Sequence, residues 1–425
     1  MKAIIKKIRF YLGYLHLFNL KSDLNKISHC DVLLYCHDAN RGLNINGKAY
    51  SPLIDSIREK LEADGFSCIT IAKPMSKLTG ELAYGAALSI NRPFIFSLML
   101  KLPLSIFKIN PIANLYKKII SLASPKTIIS IGCDESLCEA AHQMKVFHVE
   151  LLHGIGYTPL PWGWEKKEIR KLPQGIISLD PVSTKTFSEL KNKKIVVKEI
   201  AHPFITKFKS YDLKTIPNEW LPSKKNKKYQ KEVLINLQWG FADGIDALDI
   251  NEGVLMNGLF YEELETAIKI SKNDILWRFR FHPVQLRNKK KYKRLFEYME
   301  AFVRKYENTE YKESSTLPLP SLALSCNSSI TMSSMAAYDF AYFGIKTLFL
   351  SPALLSGKYK NMFDDLVRSG LAKKSDVSVT TILDWVYDSE KTPCLMVSEE
   401  KISWVNLKIW LGIETTTRSD RYASE

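Results

Sequence analysis

Residues Ser321 to Pro352, SLALSCNSSITMSSMAAYDFAYFGIKTLFLSP, decide how this chain folds. They read as a buried strand, a break carrying Ser333 and Ser334, a short apolar helix from Met335 to Phe343, a stop at Gly344 and a second buried strand. Either serine is a good N-cap, and glycine at the helix end supplies the left-handed residue that an L side chain resists. The pattern is half of a parallel βαβ unit. Backbone N–H groups and two hydroxyls therefore gather at the carboxyl edge of a sheet, where a phosphate can be held. Asp339 sits inside the apolar helix, where a carboxylate needs a reason to be. It is expected either to accept hydrogen bonds from a ribose hydroxyl beyond that phosphate or to be an ordinary solvated helix residue.

Trp277 to Pro283, WRFRFHP, follows the same logic: a strand ends in an imidazole, His282, followed by the rigid Pro283. Upstream, Glu232 to Leu237 (EVLINL) is another buried strand, which leads into Gln238, Trp239 and Gly240 and then Asp243, Asp246 and Asp249. Asp243, in GFADG, reads either as a turn residue or as a carboxylate near a bound ligand. Helices are expected over Tyr261 to Ser271 and Lys291 to Tyr306.

The first half of the chain repeats the alternation. A strand from Asp31 to Cys36 is followed by the turn HDANRG, a helix from Ser51 to about Asp64 and a strand from Ser67 to Ile71. His37, Asp38, Asn40 and Arg41 thus fall at the carboxyl end of the first strand, where α/β proteins keep their sites. Asp38 reads as a general base for an incoming hydroxyl or as a cap of the turn. Leu82 to Ile120 is irregular, apolar and basic, either a wall for a bulky or lipid-linked group or two core helices. Further strands are expected at Thr127 to Ile131, Val146 to Leu152, Gly175 to Leu179 and Ile195 to Ile200, with helices over Glu135 to Met144 and Ser183 to Leu190. The third of these elements in chain order, Val146 to Leu152, ends in His153-Gly154, whose glycine lets a backbone approach a ligand closely.

The expected organisation is a basic amphipathic segment (1–29), a Rossmann-like domain (30–205), a charged linker (206–230), a second Rossmann-like domain (231–395), a closing helix within 396–413 and a polar tail (414–425). Two such α/β domains are expected to face a cleft. With 46% hydrophobic residues in 425, the chain has enough core for both. A formal charge of +15 calls for an acidic partner. The lysines are spread and no nucleic-acid module appears, so an anionic membrane surface or anionic substrate is preferred to nucleic acid. Seven cysteines without a CxxC pair fit a reducing cytoplasm and no structural zinc. The opening MKAIIKKIRFYLGYLHLFNL reads as a basic amphipathic helix on the inner membrane face or as an ordinary surface helix. Pro93 to Phe107, broken by Lys101 and Pro103, is too short to span a bilayer. The expectation is a cytoplasmic protein, peripheral on the inner face of the membrane.

Taken together, these residues resemble the GT-B glycosyltransferases of bacterial surface-polysaccharide assembly, over nearly all of Asp31 to Leu411. The cytidine-nucleotide users of that fold, including sialyl-, polysialyl- and Kdo-transferases and teichoic-acid glycerophosphotransferases, hold the nucleotide with a His-Pro and a Ser-Ser pair. His282-Pro283 and Ser333-Ser334 are similar to these, and His153-Gly154 is similar to a His-Gly pair implicated in catalysis by the glycerophosphotransferases. The chain departs from them in the IGYTPLP that follows His153-Gly154, and has HDANRG where sialyltransferases carry their acidic base motif. The resemblance implies a metal-independent enzyme without cofactors, moving a CMP-activated sugar to a lipid-linked glycan of capsule, O antigen or lipooligosaccharide. A UDP-sugar enzyme and a non-catalytic assembly scaffold are the alternatives. Asp38 or His153 would deprotonate the acceptor, with Asp243 as nucleophile in a retaining route. Gln238, Trp239, Gly240, His282, Pro283, Ser333, Ser334 and Asp339 would hold the donor, and His37, Asn40 and Arg41 the acceptor.

Overall fold

A computed structural model describes residues 22–74, 82–104, 107, 109–132, 134–209, 216–223, 228–239, 255, 257–390 and 402–414. The chain divides into two compact units, Met1–Thr206 with Ser398–Glu425, and Lys207–Val397.

The first unit is built on a parallel sheet of seven strands: β1 (Val32–His37), β2 (Cys68–Lys73), β3 (Leu88–Ser89), β4 (Thr127–Ser130), β5 (Phe147–Leu151), β6 (Gly175–Ser178) and β7 (Val196–Glu199). Their spatial order is β3-β2-β1-β4-β5-β6-β7. The inner strands β1, β4 and β6 are mainly apolar and buried, as strands of a parallel sheet covered on both faces are, whereas β5 (FHVEL) buries His148 and Glu150 and the edge strand β7 (VVKE) is partly exposed. The covering helices include α1 (Ile54–Ala63), α2 (Asn91–Leu104), α3 (Pro111–Ala123), α4 (Glu135–Met144) and α5 (Pro181–Phe187). The stretch around Leu82 to Ile120 is resolved as the packed pair α2 and α3, whose Phe94, Leu98, Leu115, Tyr116 and Ile119 share a core with Leu33 and Ile128. A hairpin, Leu43–Ile45 with Lys48–Tyr50, follows β1 and was not expected; its Asn46 and Gly47 both take positive φ, as a two-residue hairpin turn requires.

The second unit repeats the plan with six parallel strands: β8 (Lys231–Asn236), β9 (Ile275–Arg280), β10 (Thr309–Glu310), β11 (Ser328–Thr331), β12 (Lys346–Phe349) and β13 (Ala372–Lys374), in the order β10-β9-β8-β11-β12-β13. Among its helices are α6 (Glu262–Ile270), α7 (Pro283–Arg287), α8 (Lys293–Lys305) and α9 (Ala336–Ala341). Both sheets reverse direction of growth beside their first strand, at β1/β4 and at β8/β11. At such a reversal the connections leave to opposite sides, opening a crevice at the strands' carboxyl ends.

Two details of the deciding stretch differ from expectation. Leu319–Ser325 is a short helix opened by prolines at 318 and 320, so the strand starts at Ser328. The following helix begins only at Ala336, where Ser334 Oγ accepts the Ala336 N–H at 3.2 Å. Gly344, with φ 68°, ends it as expected. Within the stretch read as a linker, Phe208 and Trp220 are buried and stacked on each other at 6.4 Å. The closing helix, α10 (Trp404–Trp410), packs on the first unit: Trp410 lies edge-on to Phe147 and so close to Gly175 that a Cβ there would come within 2.7 Å of its ring. Lys408 bonds Asp64 at 2.7 Å from the same helix.

Candidate functional site

In the second unit the carboxyl edge at the β8/β11 crevice collects residues from three strands. Gln238, two residues past β8, accepts the Ser333 backbone N–H at 2.5 Å and lies 3.4 Å from the Ser333 hydroxyl. Behind that contact, Thr331 Oγ1 donates to Asn236 O at 2.9 Å, and Asn236 Nδ2 donates to Ser329 at 3.3 Å, so polar bonds lace the two strand ends. The Trp239 ring stands 6.2 Å from that of His282, past the end of β9.

His282 is held by a capping box: its Nδ1 accepts the Val284 N–H at 3.2 Å, and Gln285 Oε1 accepts the His282 N–H at 2.9 Å. Burial, with Arg287 and Arg280 adding positive charge, pushes the imidazole pKa down to about 4. The ring is therefore neutral at neutral pH, and because Nδ1 accepts, its proton is on Nε2, ready to donate to an anion. Pro283 is exposed and contributes the first helical residue.

Asp339 is half-buried on α9. Burial raises its carboxyl to about 7, opposed by the charge of Arg280. Among the described residues no donor hydrogen-bonds it. Arg280 spends Nη1 on the carbonyls of Ser314 (2.5 Å) and Leu317 (2.7 Å). The sequence reading passed over Arg280, although a charged residue in the alternation WRFRFHP was visible. Its strand neighbour on the same face, Arg278, is structural: it binds Glu232, Glu310 and Glu313 at 2.7–3.0 Å. Gly240 and Asp243 lie outside the described residues.

In the first unit the β1/β4 crevice holds a second collection. His37 ends β1, and its Nε2 is so close to Gly132 that a Cβ there would lie 2.7 Å away; Gly132 also takes φ +80°, so glycine is required on both counts. Burial, aided by the positive charge of Lys73 and a repulsion from His153 and opposed by Asp134, lowers the His37 imidazole to about 4. Lys73 at the end of β2 bonds Asp134 at 2.5 Å. Asp134 also accepts from Tyr116 (3.1 Å) and Tyr35 (3.4 Å) and caps α4 through Ser136 N at 3.0 Å. Burial acts to raise the Asp134 carboxyl, but the Lys73 charge and these donors hold it below the usual range. Glu150 of β5 supports the turn, accepting from Ser130 Oγ (2.6 Å) and Gly132 N (2.7 Å). Sequence reasoning missed Lys73, Asp134 and Glu150; the signal was a charge at a strand end in two cases and the polar alternation of FHVEL in the third.

His153 is exposed, with its ring stacked at 5.8 Å on Trp162 and its Nε2 3.3 Å from the Tyr157 hydroxyl. Desolvation by these rings lowers its pKa. Asp38 is fully buried in a short 3₁₀ turn with the half-buried Asn40. Arg41 is buried as well: it pairs with the equally buried Asp55 at 2.8 Å and donates to Tyr84 O at 2.5 Å. The structure thus brings His37 and His153 into one electrostatic neighbourhood and sends Arg41 inward, away from it. Among the described residues no group of acids, histidines and cysteines is arranged to hold a metal, and no helix is long and apolar enough to cross a membrane.

No protein-family model matches the chain, and no curated protein sequence does. Solved structures do. S. aureus MnaA in complex with UDP is similar over 91% of this chain and 98% of its own, at 13% identity and a TM-score of 0.50. The UDP-GlcNAc 2-epimerase of Methanocaldococcus jannaschii is similar over 89% and 98%, at 11% identity and 0.50. The wall teichoic acid polymerase TagF soaked with CDPG is similar over 91% and 88%, at 13% identity and 0.50. At these identities the likeness is one of fold: two Rossmann-like domains in the GT-B arrangement of chain and strands.

Proposed function

We propose that the chain is a glycosyltransferase that takes its sugar from a pyrimidine-nucleotide donor held by the second unit. The observation that carries the reading is the joining of Gln238 to Ser333 across the β8/β11 crevice, with the neutral His282 beside it. Such an edge offers what a departing nucleotide phosphate needs: an Nε2–H donor, the hydroxyls of Ser333 and Ser334, and Asp339 as an unused acceptor for a ribose hydroxyl. None of this requires a metal. Of the two candidate bases described, His153 is the accessible one. Its exposed ring and lowered pKa leave it neutral and able to take the acceptor's proton. Asp38, being buried, is assigned to hold the turn that carries Asn40. Arg41 is assigned to anchor that turn. Asp243 stays the candidate nucleophile should transfer retain configuration.

We favour a CMP-activated donor of the Kdo or sialic-acid type and a lipid-linked cell-surface glycan as acceptor, on the His-Pro and Ser-Ser pairs. A UDP-sugar fits the same edge, and the likeness to UDP-bound MnaA gives that reading independent support. The test is transfer and hydrolysis with a panel of CMP- and UDP-sugars, read by mass spectrometry, with thermal shifts alongside. A nucleotide at 100 times its dissociation constant should add roughly 2.7 kcal/mol of stability. Stabilisation by UDP and not CMP would remove the cytidine reading. Silence from both would remove the enzyme reading and leave a scaffold.

A further inference from the structure

Helix α2 breaks the rule that an amphipathic helix buries its apolar side and solvates its polar one. Phe94, Ile95 and Leu98 face the core, yet on the opposite side Phe96 is 63% exposed and Met99 54% exposed. Just past the helix, Phe107 is 72% exposed and Ile109 43%. Single exposed apolar residues are normal, but four large ones along one helix and its exit are not.

The charge along this part of the chain has one sign. From Leu82 to Cys133 the chain carries six Lys and Arg and no Asp or Glu, although it has 45 acids in all. Arg92 and Lys101 are exposed on α2 itself, and Lys118 is exposed on α3, which packs against it. Glu139, which reaches the start of α3, is engaged by Asn110 at 2.9 Å and by Gln143. Residues 1 to 21 have the same composition, five Lys and Arg and no acid, and they join the described chain at Ser22, which pairs with Ile90 immediately before α2.

We propose that the exposed side of α2, with Phe96, Met99 and Phe107 as inserting side chains and Arg92 and Lys101 at the headgroups, docks the protein on an anionic lipid bilayer. A protein partner could cover apolar side chains. The basic, acid-free stretch from Leu82 to Cys133, however, matches the negative potential of an acidic leaflet, where each nearby cation adds attraction and each inserted apolar group adds its own transfer energy. This goes beyond the glycosyl-transfer reading and does not depend on it.

The test is co-sedimentation of the full chain with vesicles of phosphatidylcholine alone or with phosphatidylglycerol added. Binding is expected on the anionic vesicles, weakening as salt is raised. Phe96→Ser with Met99→Ser should lower the partition coefficient by about tenfold or more, and Arg92→Gln with Lys101→Gln should remove the preference for anionic lipid. Both pairs are exposed, so an unchanged melting temperature accompanies either result. Equal binding of the parent and the Phe96→Ser, Met99→Ser variant would overturn the proposal, as would absence of binding by the parent. So would a dimer in light scattering that those substitutions dissociate, since the face would then belong to a second copy. No donor is needed, so failure here leaves the proposed transfer reaction standing, and a nucleotide-silent protein that binds vesicles fails only that reaction.

Discussion

Asp339→Asn separates a carboxylate kept for a ligand from one kept for the fold. In the folded chain burial raises this carboxyl to about 7 from 3.8. A carboxyl raised in this way weakens the fold by nothing below 3.8, and the stability is lost progressively as pH climbs toward 7. The loss is about 1.4 kcal/mol per pH unit, giving a ceiling of about 4 kcal/mol at pH 8. The side chain is only half-buried and partly screened by water, so about 1–2 kcal/mol is the expected size. Asparagine keeps the shape and cannot ionise. The unliganded variant should therefore melt above the parent by a few degrees at pH 8, and the gap should close toward pH 4. At the same time it offers a ligand hydroxyl a weaker acceptor, so the affinity for CMP or UDP should fall about tenfold. Scanning fluorimetry between pH 4 and 8, with and without nucleotide, reads both effects. The reasoning fails if the unliganded variant melts below the parent at pH 8. Asp339 would then be a stabilising partner of Arg280, and its place as a ribose acceptor would go with it.

His282→Ala removes the Nε2–H donor and should weaken nucleotide binding by about tenfold, measurable by calorimetry. In the parent Nδ1 accepts the Val284 N–H and burial holds the ring neutral, so His282 itself should add no pH dependence to binding between pH 6 and 8. His153→Ala should leave nucleotide binding intact and lower turnover by about 10²–10⁴-fold, whereas full activity in the variant would take the base assignment away from His153. Arg41→Ala strands the buried Asp55 carboxylate, and chemical denaturation should show a loss of about 3–5 kcal/mol. Gly132→Ala forces an L side chain into a positive φ against His37, at a cost of about 1–3 kcal/mol in the same assay.

Much of the fold could be read locally. The mainly apolar inner strands, the His282-Pro283 and Ser333-Ser334 junctions and Gly344 each follow from rules that act within a few residues, because strand period, capping and left-handed stops are short-range effects. Glu135 to Met144 even matches its helix end for end, with Asp134 capping it. The same rules misread Ser321 to Ser325, where prolines outweighed an apolar run that suits a strand as well as a buried helix.

The candidate site was legible as a set of strand ends and not as an arrangement. Sequence by itself determined which residues stand at the carboxyl edges, since each follows its own strand. Only the strand order decided that Gln238 meets Ser333, 95 residues on, because those neighbours are set by which strands pair. Tertiary packing alone likewise decided that Arg41 turns inward to Asp55, that Lys73 reaches Asp134, and that Asp339 lies where burial lifts its carboxyl. Partner and burial are properties of the assembled layers, and a charge in a sequence carries neither until the chain around it has closed.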